Sequence, residues 1–101
     1  MNPSTLDQTP LGVPLTLRPF FQEYDLESLD PAQHAFTIIE RTLAWGDVPE
    51  LRWLFTRYGA HQLAEWVRGA GWRCLPRRRL KFWICFFDLS DYQRGERLWP
   101  H

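Results

Sequence analysis

The sequence is poor in the patterns that make or break bonds. Only two cysteines, Cys74 and Cys85, stand in 101 residues. That is too few for a disulfide scaffold, and both are expected to be reduced. Cys74 lies among basic residues that would lower its pKa, but no His or Asp motif surrounds it. Cys85 falls in an aromatic segment and reads as a small core residue. The six glycines never form GxGxxG or a Walker loop, which excludes the usual phosphate cradles. HExxH and CxxC are absent, and His34, His61 and His101 are scattered without metal-ligand spacing. Ser4, Ser28 and Ser90 lack the GxSxG setting of an activated nucleophile. The expectation is therefore a protein that is not an enzyme, with no cofactor, metal or small-molecule substrate. An apolar run of about 18 residues, the length that marks a bilayer-crossing helix, is also missing, so no membrane partner is expected. The opening Met1-Asn2-Pro3-Ser4 has neither a basic patch nor an apolar stretch, which makes the expected location cytoplasmic.

Net charge is the last absence, and it conceals an asymmetry. Twelve Lys and Arg balance twelve Asp and Glu. Residues 1–49 hold two basic and seven acidic side chains, a net of −5, whereas residues 50–101 hold ten basic and five acidic, a net of +5. Either the second half meets an acidic or nucleic-acid partner, or the two halves neutralise each other within the fold.

What the chain has in quantity is apolar and aromatic surface. Hydrophobic residues make up 45% of it, with six Trp, seven Phe and three Tyr. That suffices for the core of one small domain, but six Trp cannot all bury fully in a bundle of this size.

Residues 1–19 carry Pro3, Pro10, Pro14 and Pro19 and read as a flexible, extended arm. Leu11, Val13, Leu15 and Leu17 alternate there, with Pro14 limiting any strand to an edge or a partner-binding extension. Residues 20–88 read as a helical domain. Asp30-Pro31 predicts the start of a first helix, with Ala35, Phe36, Ile39 and Leu43 at helical spacing and Gly46 at its end. Asp47, Pro49 and Glu50 predict a capping-box start for a second, and Gly59 its stop. Its Leu51, Leu54, Phe55 and Tyr58 fall at i, i+3, i+4 and i+7. A third is predicted from Ala60 to Arg68, broken by Gly69-Ala70-Gly71. Pro76 opens a fourth, with Leu80, Trp83, Ile84 and Phe87 on its stripe. Phe82 and Phe86 widen that stripe, so this helix is either central in the core or covered by a partner. Residues 89–101 form a mixed tail. The expected fold class is all-α: a compact bundle of about four short helices, an extended N-terminal arm and a short C-terminal tail.

Three features can carry binding. Arg77-Arg78-Arg79-Leu80-Lys81 places cations at a positive helix N-terminus, where stability does not favour them, so something negative is expected to face them. Trp53 and Trp72 are the expected exposed aromatics, and Trp beside an arginine such as Arg52 is the composition of a protein–protein hot spot. The stretch from Leu51 to Val67, two short helices meeting at Tyr58-Gly59, has the length of a helix–turn–helix. Its reading helix offers only Gln62 and Arg68 to DNA, with Lys81 further on.

The run Phe21…Tyr24-Asp25…Leu29-Asp30…His34…Ile38-Ile39-Glu40-Arg41…Leu43…Gly46-Asp47 resembles a small bacterial and archaeal family of uncharacterised domains. So does its continuation Leu51-Arg52-Trp53-Leu54…Tyr58-Gly59…Leu80…Phe82-Trp83. The likeness extends over about residues 20 to 88. Members of that family are typically encoded beside a nucleotidyltransferase-like toxin of the AbiEii type, and the resemblance implies the antitoxin half of a toxin–antitoxin or phage-defence pair. The proline-containing arm and the C-terminal tail depart from the family pattern. The expectation is thus a non-enzymatic antitoxin that binds and neutralises a protein toxin of the nucleotidyltransferase type through Arg52, Trp53, Trp72, Arg77, Arg78 and Arg79. The alternative is a helix–turn–helix-like DNA-binding transcriptional regulator using Gln62, Arg68 and Lys81.

Overall fold

Five α-helices follow one another almost without linkers in the computed structural model, which describes residues 7–89. They are α1 (Ala35–Trp45), α2 (Val48–Tyr58), α3 (Ala60–Trp66), α4 (Trp72–Cys74) and α5 (Arg77–Phe86). Two 3-10 turns, Leu15–Phe21 and Leu26–Ser28, precede them, and a π-helical turn, Val67–Gly71, joins α3 to α4. The class is all-α, and no strand occurs among the described residues beyond an isolated bridge between Gln8 and Pro14. Leu89 is buried, while the rest of the predicted tail and residues 1–6 lie outside the described residues.

The caps explain the boundaries. At the start of α2 the Asp47 amide donates to Glu50 Oε1 at 2.9 Å, closing the predicted capping box. Gly59, at φ 87°, supplies the backbone turn that ends α2 and starts α3. Glu50 is buried, and its second oxygen accepts the Thr16 hydroxyl at 2.6 Å, so its carboxylate is hydrogen-bonded on both sides. That bond ties the first 3-10 turn to α2. Helix α1 begins a turn later than Asp30-Pro31 predicts. Asp30 Oδ1 accepts from the Ala32 amide at 2.9 Å, and His34 Nδ1 accepts from the Asp30 amide at 2.9 Å. Those side chains hold residues 30–34 in a closed turn that competes with helix.

Two expectations need correction. Residues 7–19 are not an extended arm: Val13 and Leu17 are fully buried. Val13 is buried just ahead of the 3-10 turn; from the turn's cap the period of three aligns Pro14, Leu17 and Phe20 towards the core, and Phe21 is buried at its end. Nor does Gly69-Ala70-Gly71 break the third helix, which runs on through the π-turn into α4. A Cβ on Gly71 would sit 3.1 Å from Leu80 Cδ1 and 3.2 Å from Val67 Cγ1, so the glycine allows α5 to approach closely.

One core results, with Ile38 and Leu43 of α1, Leu54 of α2, Leu63 of α3 and Leu80 and Trp83 of α5 at its centre. Trp83 is buried, and its indole N–H donates to the Leu43 carbonyl at 3.0 Å. The Tyr58 hydroxyl donates to the Pro31 carbonyl at 2.7 Å, and burial pushes its phenol up to about 12.

Candidate functional site

Helix α5 divides into two faces. Leu80, Trp83 and Ile84 point into the core, whereas Arg77, Arg78, Lys81, Phe82, Cys85 and Phe86 are exposed. The exposed residues come in adjacent pairs four positions apart, which on a helix is a single stripe. Along that stripe the chemistry grades from cationic at the N-terminal end to apolar at the C-terminal end. Phe82 is 52% exposed and Phe86 57%. Cys85 therefore lies on the surface, not in the core as its aromatic neighbours suggested.

The two phenylalanines belong to a ring cluster that α2 buttresses. Their centroids lie 5.9 Å apart, Phe82 meets Trp83 edge-on at 4.7 Å, and Phe86 meets Phe55 of α2 edge-on at 5.7 Å. Where the N-terminal ends of α2 and α5 come together, a groove of about 330 Å³ opens. Val48, Leu51 and Phe82 give it apolar walls, with Arg78 and Arg79 alongside.

The arginine run splits by role. Arg79 donates to the carbonyls of Leu43 at 3.0 Å and Gly46 at 3.2 Å. It thus satisfies orphan acceptors at the C-terminal end of α1, where a cation is favoured. The negative group expected opposite the run is, for Arg79, that helix end. Arg77, Arg78 and Lys81 have no carboxylate partner among the described residues. Nor do the acidic and basic halves neutralise each other by direct pairing there. Arg18 pairs with Glu27 at 2.8 Å, Arg41 with Glu23 at 2.5 Å and Arg68 with Glu65 at 3.7 Å, each within its own half.

The other predicted residues lie elsewhere. Arg52 is exposed on α2. Trp53 is half-buried and meets Tyr58 edge-on at 6.3 Å, so it seals the core rather than standing free. Trp72 is 42% exposed on α4. The pair α2–Gly59–α3 is present, but Gln62 lies on α3, Arg68 on the π-turn beside Glu65, and Lys81 on α5. Burial pushes the Cys74 thiol up and Glu40 adds to this, outweighing Arg73, contrary to the lowering its basic neighbours suggested. No group of three or more His, Cys, Asp or Glu that could hold a metal occurs among the described residues, and no helix there is long and apolar enough to cross a membrane.

Val48 carried no surface signal in the sequence, Leu51 is half-buried against the core as its stripe predicts, and the exposure of Phe82 and Phe86 settles a choice that the width of their stripe left open. The signal available for that choice was the pairing at 77/78, 81/82 and 85/86. A family model described as a family of unknown function (DUF6922) matches residues 16–67, from the first 3-10 turn to the π-turn and short of α5. No curated protein and no solved structure matches the chain.

Proposed function

The chain belongs to this family of unknown function, DUF6922, and from that premise we propose that it is a non-enzymatic antitoxin that neutralises a nucleotidyltransferase-type toxin by direct binding. The observation that carries the reading is the outer stripe of α5, where Arg77, Arg78 and Lys81, without a carboxylate partner among the described residues, run into the exposed rings of Phe82 and Phe86. Nucleotidyltransferases hold their metal ions with carboxylates, so their clefts are acidic. A cationic helix face is complementary to such a cleft and steers the encounter. The rings supply apolar area that loses water on contact, the usual source of binding energy at an interface centre. Arg79 and Trp53 support the fold that presents the stripe.

The test is co-expression with the product of the neighbouring gene, expected to be a nucleotidyltransferase-type toxin, followed by affinity capture and growth measurement. The toxin co-purifies and growth recovers. The double variant Arg77→Glu/Arg78→Glu keeps its helical signal and loses both. Failure of the unaltered chain to capture the toxin or restore growth overturns the reading. Gel shifts with upstream DNA supply the contrasting outcome: sequence-specific binding that survives added salt would make the chain a regulator.

A further inference from the structure

We infer that the groove between the N-terminal ends of α2 and α5 receives an acidic amphipathic helix of the partner, with an apolar side chain seated between Val48, Leu51 and Phe82. The inference rests on the reading of this chain as a binding protein and names the element it recognises. Three observations converge on that occupant.

The first is shape. Two helices flank an apolar trough of about 330 Å³, near the low end of the roughly 300–1,000 Å³ typical of ligand pockets. A trough between helices is the usual seat for the anchor residues of a third helix, spaced at i, i+3, i+4 and i+7.

The second is charge. Arg78 borders the trough, and Arg77 and Lys81 stand on the same stripe of α5. No residue from Trp66 to Phe87 is acidic, so α5 cannot satisfy its own cations by i,i+4 pairing. Asp47, which also borders the groove, is engaged in the capping box of α2. Placing Arg77 and Arg78 in the first turn of α5 opposes the helix dipole. Unlike Arg79, neither is repaid by a contact among the described residues. An occupant with carboxylates flanking its apolar stripe repays both.

The third is rigidity. Arg79 is held by two carbonyls and Phe82 by the Trp83 ring, so the walls stand formed before the occupant arrives.

The probe is a synthetic, fluorescently labelled amphipathic helix of about 16 residues, with leucines at i, i+3, i+4 and i+7 and glutamates elsewhere. Its anisotropy is followed against the full chain. The comparators are the same peptide with lysines for glutamates and a thymidine oligonucleotide. The acidic helix binds, weakens as salt is added, and outcompetes the oligonucleotide, while the lysine peptide does not bind. Phe82→Ser and Val48→Asp, both at exposed positions, keep their circular dichroism and bind it at least about tenfold more weakly, a change of roughly 1.4 kcal/mol. Four results overturn the inference. These are equal binding of both peptides or of neither, affinity indifferent to both variants, tighter binding of the oligonucleotide at the same face, and self-association abolished by Phe82→Ser. Capture of the toxin is scored separately. Binding of the acidic helix without capture leaves the groove standing and removes the antitoxin reading. Capture that Phe82→Ser does not weaken does the reverse.

Discussion

The segment from Leu15 to Trp45 and the outer stripe of α5 both set cationic side chains among aromatic rings, yet the protein completes the first and leaves the second open. In the first, Arg41 donates to the Phe20 carbonyl at 2.7 Å and pairs with Glu23. It also lies 5.6 Å from the centroids of both Phe21 and Tyr24. Arg18 is paired with Glu27. In the second, Arg77, Arg78 and Lys81 find no carboxylate among the described residues, and Phe82 and Phe86 remain more than half exposed. The cause is in the chain itself. Acidic residues punctuate the first segment at Glu23, Asp25 and Glu27, whereas the stretch from Trp66 to Phe87 has none. Composition alone does not distinguish a structural aromatic–cation cluster from a surface awaiting a partner; the placement of the carboxylates does.

If α5 has a structural face and an open one, the largest effect is expected across its width. Trp83→Ala removes a buried ring and its hydrogen bond to Leu43, and is expected to cost about 3–5 kcal/mol. Phe82→Ala, one residue earlier, is expected to cost no more than about 1 kcal/mol. Urea unfolding followed by circular dichroism measures both. Similar losses would mean that Phe82 is as structural as Trp83, and the contrast between the two regions would fall.

The parts of the fold written locally were legible in the sequence. The Asp47/Glu50 box and Gly59 place α2, and Leu80, Trp83 and Ile84 orient α5. The docking of residues 7–19 was obscured by their prolines. Pro14 and Pro19 suggest extended chain, but Pro14, Leu17 and Phe20, three apart, fall on the one face of the 3-10 turn that meets the core. The π-turn was not legible. Gly69 and Gly71 read as a break on helix propensity, while the reason for Gly71 is its approach to Leu80, set by tertiary packing. The site divided in the same way. The cationic run was visible as a run. Its split into Arg79, bound to α1, and Arg77 and Arg78, which find no carboxylate among the described residues, depends on carbonyls more than thirty positions away in the chain. Phe82 and Phe86 were visible as the flank of a broad apolar stripe, but a stripe wider than its seat does not say which flank is left outside.

Arg79 and Arg78 allow a finer test, because they are adjacent and chemically identical. Arg79→Ala removes two charge-assisted bonds to the end of α1 and is expected to cost about 1–2 kcal/mol. Arg78→Ala is expected to change stability by no more than about 0.5 kcal/mol while weakening partner binding. Thermal unfolding separates them. A stability loss at Arg78 equal to that at Arg79 would show the run acting as one structural unit and would remove the cationic rim from the open face.

The smallest effect is expected at the completed region, on acidification. Hydrogen bonds from Arg41 to Glu23 and from Arg18 to Glu27 hold both carboxyls below their ordinary value of 4.5. A depressed carboxyl favours the folded state above its unfolded pKa, and that contribution is lost as pH falls through the folded one. The loss therefore occurs below 4.5 and is confined to the first region, since α5 from Arg77 to Phe86 holds no carboxylate to titrate. Both carboxyls are exposed, so the effect is local and screened by salt. Carbon chemical shifts of the Glu23 and Glu27 carboxyls, recorded from pH 6 down to about 2 across that window, give the midpoints directly. They are expected below 4.5 at low ionic strength and closer to it in added salt. Midpoints at the ordinary value in low salt would show these pairs unformed in solution. The arginines of the first segment would then be no better partnered than those of α5, and carboxylate placement would no longer explain why one surface is closed and the other open.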